Sequence, residues 1–112
     1  MNIIIAGNGK VGSTLTRLLS TEGHDVTLID KNTHVLEESL EQYDVMAISG
    51  NCVSMHILLQ AGVKEADLLI AATDADEINL LCCTTAHYLN PNLHTIARIR
   101  DPEYSEQIYT MK

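Results

Sequence analysis

Six residues near the start of the chain, Gly7-Asn8-Gly9-Lys10-Val11-Gly12, fit the pattern G-x-G-x-x-G. Alone the pattern is weak. Here it follows an apolar, strand-like run and opens a helical pattern, the context in which such a loop holds a pyrophosphate. Gly7 permits a tight turn, Gly9 lets the backbone approach phosphate, and Gly12 lets helix and strand pack closely. The N-terminus of the helix that opens here offers free N–H groups and a partial positive charge to phosphates. Asp30 follows Gly12 by 18 residues and ends a second strand-like run. A carboxylate at that place accepts hydrogen bonds from ribose hydroxyls and repels a 2′-phosphate. It favours NAD(H) or a plain adenine nucleotide over NADP, and Lys31 next to it softens the repulsion without reversing it. For Asp30 alone, a solvated strand-end acid is the plain alternative.

The cations make an independent argument. The chain has seven Lys and Arg against 15 Asp and Glu, a net charge of −8. Four of the seven, Lys10, Lys31, Arg98 and Arg100, fall at or just beyond the carboxyl ends of predicted strands. Ligands bind along that line in an open α/β sheet. An acidic chain that gathers scarce cations there is suited to an anion there. Gly50-Asn51, Thr73-Asp74 and Asn79 reach the same line, where each reads either as a base or ribose contact or as a turn or cap.

The elements that must position these residues are legible as alternating patterns. Strands are expected at residues 2–6, 25–30, 45–49, 67–72 and 95–99, each a short apolar run. Helices are expected between them. The first covers 11–21, with Val11, Leu15, Leu18 and Leu19 on one face. The second is capped by Asn32 and runs to about Tyr43, with Val35, Leu36 and Leu40 inward. A short helix covers 53–61, with Gly62 as its left-handed cap. Asp74 and Glu77 resemble a capping box that opens a helix to about Leu89. Asp101-Pro102-Glu103 opens a last helix whose stripe is Tyr104, Ile108 and Met111. Strands alternating with helices through short connections give parallel strands and right-handed crossovers. The expected fold is α/β, a Rossmann-like doubly wound parallel sheet in the order 3-2-1-4-5, with any sixth strand missing from this stretch. Residues 1–100 are expected to form the nucleotide-binding unit, and 101–112 the start of a crossover or interface helix belonging to something longer.

The composition excludes other classes. At 112 residues and 46% apolar content, the chain suits one globular domain with a core of its own. Its acidity argues against nucleic acid and against adhesion to anionic lipid. Its apolar runs stop far short of the ~20 residues of a membrane span. No signal-peptide pattern is seen, and a cytosolic location is expected. Three cysteines, Cys52, Cys82 and Cys83, do not suggest a disulfide framework. No nucleophile elbow, Walker lysine loop or zinc spacing is found. His24, His34, His56, His87 and His94 are scattered, so no catalytic residue and no metal site is expected.

Several stretches together resemble one family. IIIAGNGKVG, LIDKN, the Gly50-Asn51 pair, ADLLIAATDADEINLL and ARIRDPEY are similar to the N-terminal RCK (KTN, TrkA-N) domain of TrkA-like potassium-uptake regulators, over essentially the whole chain. The resemblance implies a cytosolic, non-catalytic regulatory domain that binds NAD(H) or ATP/ADP. It implies a homodimer that assembles into a larger ring beneath a membrane potassium channel or transporter subunit. By position, Gly7, Asn8, Gly9, Lys10, Val11 and Gly12 would hold phosphates and Asp30 the ribose. Lys31, Asn51 and Cys52 would lie near the adenine. Thr73 and Arg98 would face the distal phosphates or a second nucleoside, with Arg100 a weaker candidate. Asn8 departs from the family's small residue at its position, and the family's C-terminal lobe is not in this sequence. The competing reading is the cofactor-binding half of an NAD-dependent dehydrogenase.

Overall fold

The apolar β-branched run of residues 3–5 is the centre of the molecule. Parallel strands covered on both faces read as continuous apolar runs, and this one is completely enclosed. The structure, a computed structural model, describes residues 1–111. Its strands are β1 (Asn2–Ala6), β2 (Asp25–Asp30), β3 (Met46–Ser49), β4 (Leu68–Ala71) and β5 (His94–Ala97). Its helices are α1 (Lys10–Thr21), α2 (Thr33–Gln42), α3 (Met55–Gln60), α4 (Asp76–Leu89) and α5 (Pro102–Met111). The sheet is wholly parallel, in the order β3-β2-β1-β4-β5. This is the expected Rossmann-like fold.

The two faces carry separate cores. Ile3, Ile5, Val26, Leu28, Ile70 and Ala72 point to one side, under Val11, Leu15 and Leu19 of α1 and Leu36 of α2. Ile4, Ala6, Ile29, Leu69 and Ala71 point to the other, under Leu58 of α3 and Cys82, Cys83 and Ala86 of α4. The chain therefore wraps one face first and the other second. The direction reverses between β1 and β4, and a crevice opens at their carboxyl ends.

Local boundaries follow from caps. Asn32 accepts the N–H groups of His34 and Val35 and opens α2 as expected. Ser54, not Val53, opens α3, because its hydroxyl accepts the Ile57 N–H. Gly62 takes the expected left-handed turn (φ 84°), which leads into a 3-10 turn at Val63–Glu65 that the sequence pattern did not show. Strands β3, β4 and β5 are each shorter than expected, and β5 starts one residue earlier. The Asp74–Glu77 capping box does not form. Helix α4 starts at Asp76, with Ala75 at its N-cap and no side-chain cap bond. Leu18 and Leu40, expected inward, are 46% and 48% exposed. In α1 the buried row is Gly12 and Thr16, with Val11, Leu15 and Leu19 beside it, and Leu18 is turned to solvent. In α2, Leu36 and Ser39 form the buried row.

Helix α1 can lie this close only because of two glycines. A Cβ at Gly12 would stand 1.8 Å from the carbonyl oxygen of Gly7. Gly7 itself has φ +97°, and a Cβ there would come within 2.9 Å of the Thr73 backbone nitrogen. Gly9, in contrast, has open space around it. Denaturant unfolding of Gly12→Ala is expected to show a loss of about 3 kcal/mol or more, because the backbone must move to admit the methyl group. Gly9→Ala should stay within about 1 kcal/mol of the wild type. Equal losses in the two variants would show that the packing contact is not what Gly12 serves.

Candidate functional site

The crevice is built from the carboxyl ends of β1, β2, β3 and β4. Gly7, Asn8 and Gly9 form one wall, Asp30 to Asn32 the next, Gly50 to Cys52 the third, and Ala72 to Ala75 the fourth. Its volume is about 410 Å³. Ile29, Val35 and Ile78 give it apolar surface. This is the size and mixture of linings expected of a small-molecule site.

The glycine loop is anchored from below. Gly7 donates its N–H to the Ile29 carbonyl at 2.8 Å. Gly9 is the N-cap of α1 but supplies no side-chain bond, and no acid lies in the first turn. The leading N–H groups of α1 therefore have no side-chain acceptor, and the positive end of the helix dipole meets the crevice uncompensated. Gly12 and Val11 lie behind this rim, and Lys10 stands exposed beside it.

Asp30 has a structural task as well. One carboxylate oxygen accepts the Asn8 N–H at 2.8 Å and the other accepts the Asn32 N–H at 2.8 Å. The acid thus joins the glycine loop to the start of α2 and still faces the crevice. Asn8 adds a second tie, because its side-chain amide donates to Ser39 Oγ at 2.7 Å and to the Val35 carbonyl at 3.2 Å. Its Oδ1 is buried without a partner.

On the opposite wall the polar residues are bound to one another. Asn79 is fully buried. Its Oδ1 accepts the Thr73 N–H at 2.9 Å and the Thr73 hydroxyl at 2.6 Å. Its amide donates to the Thr73 and Arg98 carbonyls. Asn79 therefore fastens the end of β4 to the end of β5 and does not reach the crevice; the reading as a base or ribose contact is corrected. Thr73 lines the crevice with its hydroxyl already engaged. Arg98 and Arg100 lie outside the lining and converge on exposed Asp74, at 3.6 and 3.7 Å.

Of the residues singled out in the sequence, Gly7, Asn8, Gly9, Asp30, Lys31, Asn51, Cys52 and Thr73 are brought together around the crevice. Lys10, Val11, Gly12 and Arg98 are set back from it. Asp76 was missed. Its carboxylate accepts the backbone N–H groups of Arg100 and Asp101, both at 2.9 Å, and so fixes the entry to α5. No local signal marks it, because its partners lie 24 and 25 residues away.

A doubly wound sheet with a glycine loop, an uncapped helix and a strand-end acid at its reversal point defines a Rossmann-like domain. More closely, the chain belongs to the TrkA-N domain family, whose model matches residues 3–112. It is 40% identical over 104 residues to the Trk system potassium uptake protein TrkA of Vibrio alginolyticus, covering 93% of this chain and 23% of that protein. It is 40% identical over 102 residues to a TrkA homolog of Pyrococcus abyssi, covering 91% of this chain and 45% of that protein. The chain thus spans less than half the length of these curated relatives.

Among solved structures it is similar to the Kef CTD of Shewanella denitrificans in its AMP-bound form. The TM-score is 0.83 and the identity 30%, over 99% of this chain and 67% of that one. It is also similar to the GsuK channel bound to NAD, with a TM-score of 0.82 and 25% identity over 97% of this chain and 20% of that one. A GsuK structure bound to ADP gives 0.77 and 25%, over 97% of this chain and 28% of that one.

The two N–H bonds, with the nearby Arg100 and Arg98 charges adding to them, hold the Asp76 carboxyl below the usual carboxylate range. A depressed folded pKa contributes stability above the unfolded value, near 3.9, and that stability is lost as pH falls through the folded value. Wild type should exceed Asp76→Asn in Tm at neutral pH, and the gap should close as pH falls below the unfolded value, near 3.9. A gap independent of pH would show that the charge of Asp76 is not what holds the entry to α5.

Proposed function

We propose that this chain is the nucleotide-sensing regulatory domain of a potassium uptake system, with an adenine nucleotide, NAD(H) or ATP/ADP, as its ligand. One observation carries the reading. The uncapped N-terminus of α1 and the Asp30 carboxylate face the same crevice, so one accepts phosphate where the other accepts ribose. The nucleotide-bound relatives and the potassium-uptake relatives support it. The residues taken to contact the ligand are Gly7, Asn8 and Gly9 for phosphates, with Lys10, Val11 and Gly12 behind them in the first turn of α1, and Asp30 for ribose. Lys31, Asn51 and Cys52 lie on the adenine side, and Thr73 and Arg98 at the distal end.

The role is regulatory rather than catalytic. The titratable side chains lining the crevice are Asp30, Lys31, Cys52 and Asp74. Asp30 is held by two N–H groups, Asp74 faces two arginines, and neither pairs with a histidine that could pass a proton. No helix among the described residues is long and apolar enough to cross a membrane. By its likeness to the Trk-system relatives, the domain acts, in this reading, from the cytoplasm on a separate membrane transporter subunit. Residues 1–100 form the sensing unit. Helix α5, with Tyr104 and Ile108 half-buried and no residue fully buried, is the element that meets a second copy or a further lobe in a homodimer and ring.

Charge links the two parts. Arg98 and Arg100 rest on Asp74 at the crevice mouth, and the N–H of Arg100 rests on Asp76 at the root of α5. A terminal phosphate draws the arginines differently from a nicotinamide nucleoside. That difference supplies the free-energy gap a ligand needs in order to shift an assembly.

Titration calorimetry with AMP, ADP, ATP, NAD, NADH and NADP tests the reading. Adenine nucleotides should bind, and NADP should bind more weakly than NAD. Asp30→Ala should lose about 1.5–3 kcal/mol, roughly 10- to 150-fold, toward NAD and AMP, while narrowing the NAD–NADP gap. Unchanged affinity in Asp30→Ala would remove its ribose role. Protein-dependent NADH oxidation with simple aldehydes or 2-oxo acids would overturn the non-catalytic reading.

A further inference from the structure

One polar atom in the crevice wall is left without a partner. Among the described residues, the Oδ1 of Asn8 is the only buried side-chain oxygen or nitrogen that makes no hydrogen bond. Buried polar groups are nearly always paired, so each exception calls for a reason. Asn8 is 3% exposed, yet it lines the crevice with Gly7 and Gly9. Holding phosphate makes no use of its side chain.

Neighbouring groups settle which way the amide faces. The Val35 carbonyl can only accept, so the amide nitrogen must face it, at 3.2 Å, with Ser39 Oγ at 2.7 Å. Asn8 also borders a second cavity, a cleft of about 260 Å³ between α1 and α2. Ser39 lines that cleft and not the crevice. The two ends of a carboxamide point apart, so the nitrogen is given to the cleft side and the oxygen is left to the crevice side. The backbone N–H of the same residue donates to Asp30 Oδ2 at 2.8 Å, so this side chain starts beside the strand-end carboxylate. Two acceptors therefore adjoin on one wall, and what that wall lacks is a pair of donors.

We infer that Asn8 is a specificity residue of the nucleotide site, its Oδ1 accepting the ribose 3′-hydroxyl while Asp30 accepts the 2′-hydroxyl. This rests on the nucleotide reading of the crevice. A strand-end acid at this place in a doubly wound fold takes the 2′-hydroxyl. The other hydroxyl of the diol then falls on the glycine-loop side, where Asn8 adjoins Asp30. The Asn8 oxygen gave up its water when the chain folded, so a hydroxyl that reaches it gains a bond without displacing solvent from the protein. Gly9, the next residue, has open space around it, so the loop can yield enough to uncover the oxygen. Two adjoining acceptors select a ribose diol over a deoxyribose, which offers one donor fewer.

Titration calorimetry of the intact chain with AMP, 2′-deoxy-AMP and 3′-deoxy-AMP tests this in the wild type and in Asn8→Ala. In the wild type each deoxy analogue should bind about tenfold more weakly than AMP. In Asn8→Ala the 3′-deoxy penalty should shrink to about twofold or less, while the 2′-deoxy penalty stays. A side chain that merely braces the loop against α2 would weaken all three ligands by one factor and leave both penalties unchanged. That result overturns the inference, as does loss of the 2′-deoxy penalty in place of the 3′-deoxy one. A second measurement needs no variant. In the wild type, the side-chain carbonyl and amide NMR resonances of Asn8 should move further with saturating AMP than with saturating 3′-deoxy-AMP, and equal movement overturns the inference. If AMP binds and the penalties do not separate, the ribose role of Asn8 falls alone. If no nucleotide binds, it falls together with the nucleotide reading.

Discussion

The approach of α1 to the turn after β1 is the constraint on which the rest of the molecule depends. The Gly7 carbonyl occupies the place where any side chain at position 12 would begin. With both residues glycine, α1 lies flat on the face made by Ile3, Ile5, Val26 and Leu28, and its first turn is aimed across the carboxyl ends of the strands. Gly7 also lets the end of β4 come close, so β1, β2 and β4 finish in register around one crevice. Core, crevice and helix direction thus share a single steric requirement.

The walls of the crevice are held by different chemistry. On the β2 side, the Asp30 carboxylate ties the loop to the start of α2, and its bonds are charge-assisted. On the β4–β5 side, one neutral amide, Asn79, joins the N–H, hydroxyl and carbonyl of Thr73 to the Arg98 carbonyl. Charge there is displaced to the mouth, where Arg98, Arg100 and Asp74 form exposed pairs of little intrinsic strength. The arrangement leaves the cations easily redirected while the backbone beneath them stays fixed.

Most of the fold was legible because it rests on local patterns. The run at residues 3–5, the glycine loop, Asn32 and Gly62 each act within a few residues, and their spacing alone sets the strand order. What was not legible depends on distant partners. Asp74 reads as the cap of α4, but the helix opens without a side-chain cap, and Asp76 instead holds the distant N–H groups of Arg100 and Asp101. Asn79 reads as a ligand contact until the ends of β4 and β5 are seen to need it. Leu18 and Leu40 fit the apolar periodicity, yet the rows that pack are Gly12–Thr16 and Leu36–Ser39, because small residues let those sides of the helices approach the sheet. For the crevice, the sequence marked the residue types, and only the structure shows that Lys10, Val11, Gly12 and Arg98 stand behind its rim and that Cys52 and Cys82, 30 positions apart, belong to one core.

The sheet tapers outward from β1 and β2, with five and six residues, to β3 and β5, with four each. Those outer strands are also the most exposed, with Met46 and Ile96 on the surface. A free strand border is a template on which other chains can add, and its hazard grows with the number of consecutive unpaired amides it offers. Two borders of four residues offer few. Short borders thus guard the sheet, among the described residues, against sheet-to-sheet polymerisation.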